Sequence, residues 1–504
     1  MSGRRPRASR RGAPLQVPVT TGPEQAPLYT QVYREIREHI LSGALRPGAR
    51  LPSARTLAAD LGVSRNTIEA AFLQLDAEGF ITRRVGAGTT VADSMAETAP
   101  FSPRARRARP SRSEPPRPAA IRLSTRGALI TECGLAEIEG DHPTGSCATE
   151  VAGFPVRTWN RLLARRGRRA GIAPFQACDP AGLPALREAI ADHVRVTRGV
   201  RCEWRQVIVV SSTQQALDLC GRLLLDPGAL ALMEEPGYRG TRAALLAAGA
   251  EVRGVPVDDA GVDPEAVAAQ AGARLLYVTP SHQYPLGVTL TLARRLALLR
   301  WAAANEAWIV EDDYDSEFRY DGRPLASLQG LDPHGRVIYV GTCNKVLFPG
   351  LRLGYLIVPA GLVESFAAAR RISDGFSPPL SQAVLADFIS GGHFAAWLRQ
   401  ARLHYAACRD ALVDSIASHW DPLVTLGPSD TGLHLMAHLP DGAPDAAIAQ
   451  AAPVHCLGVI PLSRYHATPS RRRGLLLSYV AATPARIPRD VAALAPAVRA
   501  RKGR

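Results

Sequence analysis

The sequence predicts an α/β protein: a small winged helix-turn-helix, then a linker, then a large domain built on a mostly parallel sheet. Three observations carry this. The chain of 504 residues exceeds one ordinary domain, and 46% hydrophobic with 21% charged residues suffices to bury a large core. Between residues 27 and 92, three stretches of helical apolar spacing are punctuated by glycines, and a pair of short strand-like runs flanks Gly86-Ala87-Gly88. From about residue 121 onward, apolar runs of about four residues alternate with helical segments, as for strands buried on both faces.

Residues 1–26 are Arg-rich and punctuated by proline, and read as a disordered tail that either attracts nucleic acid nonspecifically or is simply solvated. No apolar stretch follows Arg4, Arg5, Arg7, Arg10 and Arg11, so the tail is not expected to be a signal peptide or an export signal. No apolar run reaches the ~18 residues that cross a membrane. Eight cysteines without a CxxC pair speak against a zinc ribbon or disulfide framework and suit a reducing cytosol, so a cytoplasmic location is expected. The formal net charge of +14 suits a polyanionic partner without identifying one.

In residues 27–92, Leu28, Val32, Ile36 and Ile40 give one apolar helix face, ended by Gly43 and the Pro47-Gly48 turn. Ser53 caps a second helix with Leu57, Ala58 and Leu61 inward, and Gly62 stops it. Ser64 caps a third helix with Ile68, Ala71, Phe72 and Leu75 inward, ended by Gly79. Phe80–Arg84 and Thr89–Ala92 pair as a wing. Two helices joined by a short Gly-containing turn, the second polar at its start, make a helix-turn-helix.

The stretch resembles the winged helix of GntR-family regulators, through Pro27-Leu28-Tyr29, the run Ala44 to Ser53, Leu61-Gly62-Val63-Ser64-Arg65-Asn66-Thr67, and Gly86-x-Gly88-Thr89. The resemblance implies that Arg55, Ser64, Arg65, Asn66 and Thr67 contact double-stranded DNA, with Gly86 and Gly88 near the minor groove. The chemistry agrees, because a helix N-terminus faces phosphate and arginine grips guanine through two hydrogen bonds. Glu69 stands where the family often has Arg.

Residues 93–120 carry six prolines among arginines and too few apolar side chains for a core, which reads as a linker, either solvated or touching DNA. Residues 121–504 form the large domain. Its predicted strands are Val207–Val210, Leu230–Met233, Leu275–Val278, Trp308–Val310, Val337–Val340 and Tyr355–Val358. In such sheets the chemistry sits in loops beyond the C-terminal ends of the strands. There lie Ser211-Ser212-Thr213-Gln214-Gln215, a helix start able to hold phosphate; Glu234 to Tyr238, a turn presenting an aromatic ring; and Thr279 to Gly287. There too lie Glu311, Asp312, Asp313 and Asp315, four carboxylates that either bind a metal or supply one acid beneath a pyridine nitrogen.

Only two lysines occur, Lys345 and Lys502, against 58 arginines. Lys502 lies in a basic tail, whereas Lys345 follows an apolar run and precedes a Pro-Gly turn. A lysine kept where other cations are Arg points to reversible proton loss and attack on an aldehyde, the alternative being a chance salt bridge.

Asp312-x-Tyr314, a lysine 33 residues beyond Asp312, and Gly350-Leu351-Arg352-Leu353-Gly354-Tyr355 together resemble a fold-type I aminotransferase that uses pyridoxal 5'-phosphate (PLP). The resemblance implies a Schiff base between PLP and Lys345. It places Asp312 on the pyridine nitrogen, Tyr314 on the phenolic oxygen and Tyr238 against the ring. Ser212, Thr213, Thr342 and Arg352 would hold the phosphate. No metal is implied. A GntR winged helix fused to such a domain resembles the MocR subfamily, with its GabR-, TauR- and PdxR-like members. The phrases Thr279 to Pro285, Glu311 to Tyr320 and Lys345 to Arg352 are typical of it.

Four departures stand out. Ser212 replaces a common Gly, and Asn344 replaces a common Ser. Gln283-Tyr284 stand where aminotransferases have Asn near the phenolic oxygen. The last strand, Leu475–Tyr479, lacks the arginine that grips an amino-acid carboxylate, leaving Arg464, Arg471, Arg472 and Arg473 as substitutes. The expectation is a PLP-dependent, homodimeric (head-to-tail) transcriptional regulator that senses an amino compound or PLP. The alternatives are a genuine aminotransferase with an accessory DNA-binding module, and a regulator whose large domain only dimerises.

Overall fold

The computed structural model describes residues 26–84, 88–93, 122–138, 153–169, 171, 176–322, 325–452 and 457–500. The chain divides into two units, Met1–Ala120 and Ile121–Arg504. Almost all of the tail and linker read from the sequence, and Gly86, lie outside the described residues.

In the first unit, helix α1 (Leu28–Leu41) buries Val32, Ile36 and Ile40, and α3 (Arg65–Ala77) buries Ile68, Ala71, Phe72 and Leu75 in the same core. Helix α2 (Ala54–Leu61) starts where Ser53 Oγ accepts the Thr56 N–H and stops at Gly62, whose φ of 65° suits a residue without Cβ. Ser64 Oγ accepts the Thr67 N–H at 3.1 Å and caps α3. Strands β1 (Ile81–Arg84) and β2 (Gly88–Val91) pair antiparallel with Ile81 opposite Val91; β1 starts one residue later than expected, and β2 lies one residue earlier. Ile81 and Val91 join the helical core. The Leu51 N–H donates to Thr89 O and the Val91 N–H to Ala49 O, both at 2.9 Å, so the wing is also tied to the loop before α2.

The second unit holds an eight-stranded sheet of order β3-β10-β9-β8-β7-β4-β5-β6. The strands are β3 (Val207–Val210), β4 (Leu230–Glu235), β5 (Glu251–Asp258), β6 (Gly261–Val262), β7 (Ala273–Val278), β8 (Trp308–Asp313), β9 (Val337–Thr342) and β10 (Gly354–Ile357). Strands β4, β5, β7, β8 and β9 run parallel, whereas β10 is antiparallel to both β3 and β9. The continuous apolar runs have their physical reason here. Val207 and Val209 enter one apolar cluster and Ile208 and Val210 another, so both faces of β3 are covered. Strand β5 escaped the sequence reading because only Val255 and Val257 along it are fully buried. A second, antiparallel sheet joins β11 (Thr425–Leu426), β12 (His434–Leu439), β14 (Arg473–Ser478) and β13 (Gly458–Pro461).

One expectation needs correcting. Strands β8 and β9 run to Asp313 and Thr342, so Glu311, Asp312, Asp313 and Thr342 lie on strands, not in the loops beyond them. Buried partners make carboxylates tolerable there. Asp313 pairs with buried Arg198 at 2.7 Å, and Glu311 accepts the N–H groups of Leu328 and Gln329 at 2.8 Å each. No described helix is long and apolar enough to cross a membrane.

Candidate functional site

Side chains alternate along β8, so Glu311 and Asp313 face one side of the sheet and Asp312 the other. Asp312 Oδ2 accepts a hydrogen bond from Tyr277 on neighbouring β7 at 2.8 Å, while its buried Oδ1 has no protein partner. Burial pushes this carboxyl up to about 7. Asp313 and Asp315 push the same way, and Tyr277 and Lys345 pull it down. Such a group lacks a donor that also brings positive charge, and a protonated pyridine nitrogen supplies both. The residues present therefore fit the base of a PLP site.

Lys345 is half-buried three residues beyond β9, close enough for its charge to act on Asp312 and on His434. Asn344 holds this turn in place. Its amide donates to Ser211 O at 3.1 Å and its carbonyl accepts from the Leu353 N–H at 3.0 Å. The Asn in place of a common Ser thus ties the lysine turn to the helix start after β3 and to the turn after Arg352.

Ser212 caps the helix Thr213–Leu224, its Oγ accepting the Gln215 N–H at 3.3 Å. Ser212, Gln214, Gln215 and Arg352 line one cavity of about 550 Å³ at that helix start. Arg352 is exposed and held at a φ of 53°. Thr342 lies opposite Gly354, and Gly354 lies opposite Val210, so β10 aligns Thr342 with the end of β3 that leads into Ser212 and Thr213. Thr342 Oγ1 accepts the Asn344 N–H at 3.2 Å. Tyr238 precedes the helix Arg239–Ala248, its ring edge-on to Tyr284 at 6.0 Å and its hydroxyl 3.5 Å from Gln214. Tyr314 is buried, edge-on to Tyr284 at 5.7 Å.

The four acids do not form a shared metal site. Glu311, Asp312 and Asp313 take the separate partners above, and Asp315 pairs with His282 at 2.8 Å. That last pair leads to a cluster the sequence reading missed: His282, Asp315 and His434, all buried, with ligand-type atoms within 4.8 Å of one another. His282 stood in a noted loop phrase, but His434 lies on β12 more than a hundred residues away, and nothing local marks it.

The departures find places too. Gln283 is fully engaged: its amide N–H groups reach Pro236 O and Tyr284 O at 2.9 and 2.8 Å, and its carbonyl accepts the Leu286 N–H at 3.0 Å. The Tyr284 hydroxyl meets that of Tyr465 at 2.7 Å. Of the four substitute arginines, Arg471 is exposed, Arg472 donates to Val257 O at 3.3 Å, and Arg473 donates to Ser470 O. Arg464 lines a cavity beside Tyr465 with Arg239 and Arg242.

In the first unit, Arg55, Ser64, Arg65 and Asn66 are exposed at the starts of α2 and α3, and half-buried Thr67 meets Ser64 through their hydroxyls at 2.8 Å. Glu69 pairs with Arg83 of the wing at 2.6 Å and lies 3.8 Å from Arg65. Gly88 has a φ of 91°, and a Cβ there would come within 2.9 Å of the Arg50 guanidinium.

Comparison with known proteins covers both units. The family described as bacterial regulatory proteins of the gntR family matches residues 28–91, and aminotransferase class I and II matches residues 160–471. A probable rhizopine catabolism regulatory protein, MocR of Rhizobium meliloti, is 39% identical over 464 residues, 91% of each chain. The HTH-type transcriptional regulator TauR of Rhodobacter capsulatus is 35% identical over 94% of this chain and 97% of its own. Among solved structures, the α-aminoadipate aminotransferase LysN of Thermus thermophilus, complexed with N-(5'-phosphopyridoxyl)-L-leucine, is 27% identical. It superposes with a TM-score of 0.65 over 70% of this chain and 91% of that one. The chain belongs to the MocR-type subfamily of GntR transcriptional regulators, in which a DNA-binding winged helix is fused to an aminotransferase-like domain.

Proposed function

We propose that the large unit holds PLP on Lys345 and uses it to sense an amino compound or PLP itself, and that the outcome changes how the winged helix grips a promoter. The observation that carries this reading is Asp312, buried at the end of β8 with one oxygen unpaired and Lys345 within electrostatic reach. PLP, when bound, supplies an aldehyde for the lysine amine and a ring that withdraws electrons. The chain's own residues do the rest. Asp312 keeps the ring nitrogen protonated, Tyr314 faces the phenolic oxygen and Tyr238 packs on the ring. Ser212, Thr213, Thr342 and Arg352 hold the phosphate, Arg352 with paired N–H groups. On the DNA side, Arg55, Ser64, Arg65, Asn66, Thr67, Gly86 and Gly88 meet the duplex. The pyridoxyl adduct held by LysN supports a pyridoxyl group in this fold.

An effector acts only if it binds the two DNA-binding arrangements with different affinity. The protein works as a cytoplasmic homodimer whose large domains pair head to tail. Transamination is weak or absent: the run Leu475–Tyr479 carries no arginine for a carboxylate, and Arg473, which begins β14, and Arg472 before it are turned to backbone carbonyls.

Borohydride reduction of the PLP-loaded protein followed by peptide mapping is expected to place the label on Lys345, and Lys345→Ala is expected to lose it with the fold retained. Label elsewhere, or an unchanged cofactor spectrum in the variant, overturns the assignment. Footprinting of the promoter with and without PLP and candidate amines is expected to give a protection pattern that depends on them.

A further inference from the structure

The buried cluster beside Lys345 has no part in the reading so far. Its geometry is specific. His282 Nδ1 lies 2.8 Å from Asp315 Oδ2 and 3.0 Å from the Tyr314 hydroxyl. Asp315 Oδ2 also accepts the Leu433 N–H at 3.2 Å. The imidazole of His434 lies 4.7 Å from that of His282, centroid to centroid. Gly432, with a φ of 93°, packs so closely on the His282 ring that a Cβ would overlap it. The ring of His282 therefore has one seat.

Counting hydrogens settles the direction of these bonds. A carboxylate has no hydrogen to give, so the contact with Asp315 requires the hydrogen to sit on Nδ1 of His282. A nitrogen that carries a hydrogen cannot accept another. The Tyr314 oxygen then faces an N–H, and its own hydrogen is turned away from the imidazole. We propose that His282, fixed by Asp315, is a positioning residue that makes Tyr314 a hydrogen-bond donor to the phenolic oxygen of the cofactor. The inference rests on the reading that PLP is held at Lys345.

The role matters because of what the neighbouring loop lacks. Aminotransferases place an Asn near that oxygen, whereas here the amide N–H groups of Gln283 are committed to protein oxygens and the Tyr284 hydroxyl meets Tyr465. The burden of donation passes to Tyr314. A metal is a poorer use of the cluster, because Asp315 Oδ2 already accepts both the imidazole N–H and the Leu433 N–H.

Donation from Tyr314 stabilises the negatively charged phenolic oxygen, so its loss raises the pH at which the lysine-bound cofactor changes its absorption band. The titratable groups facing this site are Tyr277, Tyr284, Asp312, Asp315, His434 and Lys345, and all stay in place in His282→Phe and Tyr314→Phe. The test is an absorbance titration of full-length, PLP-loaded protein. His282→Phe keeps a ring and removes the N–H. It is expected to raise the midpoint by less than Tyr314→Phe, which removes the hydrogen bond to the charged oxygen itself and is expected to raise it by about one pH unit. The double variant is expected to go no further than Tyr314→Phe alone, because the two act in series.

An unchanged midpoint in His282→Phe, or additive shifts in the double variant, overturns the proposal, as does stoichiometric metal in the purified parent. Should His282→Phe fail to fold, Asp315→Asn serves instead: a smaller shift in the same direction supports the proposal, and an unchanged midpoint overturns it. A parent that shows no cofactor band after loading sinks the underlying reading, a result distinct from a normal band that ignores His282.

Discussion

Glu234, Glu311 and Asp312 are carboxyl groups that burial pushes up to about 7, and each gives a testable dependence on pH. In the unfolded chain a carboxyl titrates near 4. Between that value and about 7 the folded protein holds protons the unfolded chain has released, so stability falls as pH rises through the window. Burial also holds His434 well below the ordinary imidazole range, which costs stability at acid pH, so the carboxyl effect is best read between pH 6.5 and 8. The melting temperature of cofactor-free protein is expected to drop over that range, and less steeply in Asp312→Asn. Equal slopes for the two would show that Asp312 is already ionised. Single residues were also where the sequence was most and least legible. Lys345 and Arg352 announce themselves by composition and spacing. The partners of the acids do not: Asp313 meets Arg198 from 115 positions away and Asp315 meets His282 from 33, and no local pattern encodes such pairings.

At the scale of elements, the caps and stops were legible because their chemistry is local. Ser53, Ser64 and Gly62 act within a few residues of themselves. The ends of β8 and β9 were not, because carboxylates and Thr342 look like loop until their buried partners are known. Nor was the antiparallel run of β10, since an apolar stretch carries no direction. The start of α3 gives the next prediction. Arg65 is exposed there, and its replacement by Ala is expected to weaken operator binding by roughly tenfold, about the worth of one guanine contact. Gel-shift titration at matched salt decides it, and equal affinities would remove Arg65 from the interface. Glu69 supports the wing through Arg83, so Glu69→Ala is expected to lower affinity as well, through a looser wing.

For the whole molecule, the proposed two-fold dimer predicts about twice the 53.9 kDa monomer mass by light scattering at micromolar concentration. A monomer mass with PLP bound would refute it. Such an interface is not legible in the sequence, because the surfaces a dimer buries carry the same apolar residues as a core. Within each DNA-binding module, though, one feature has consequences for the promoter. The wing is not a free flap: Ile81 and Val91 sit in the core with Ile68 and Phe72, and β2 hydrogen-bonds to the loop before α2. Recognition helix and wing thus form a ruler of fixed length. On the DNA contacts proposed for α3 and the wing, a base pair inserted between the two would rotate one mark by about a tenth of a turn, and the described residues offer no joint with which to follow.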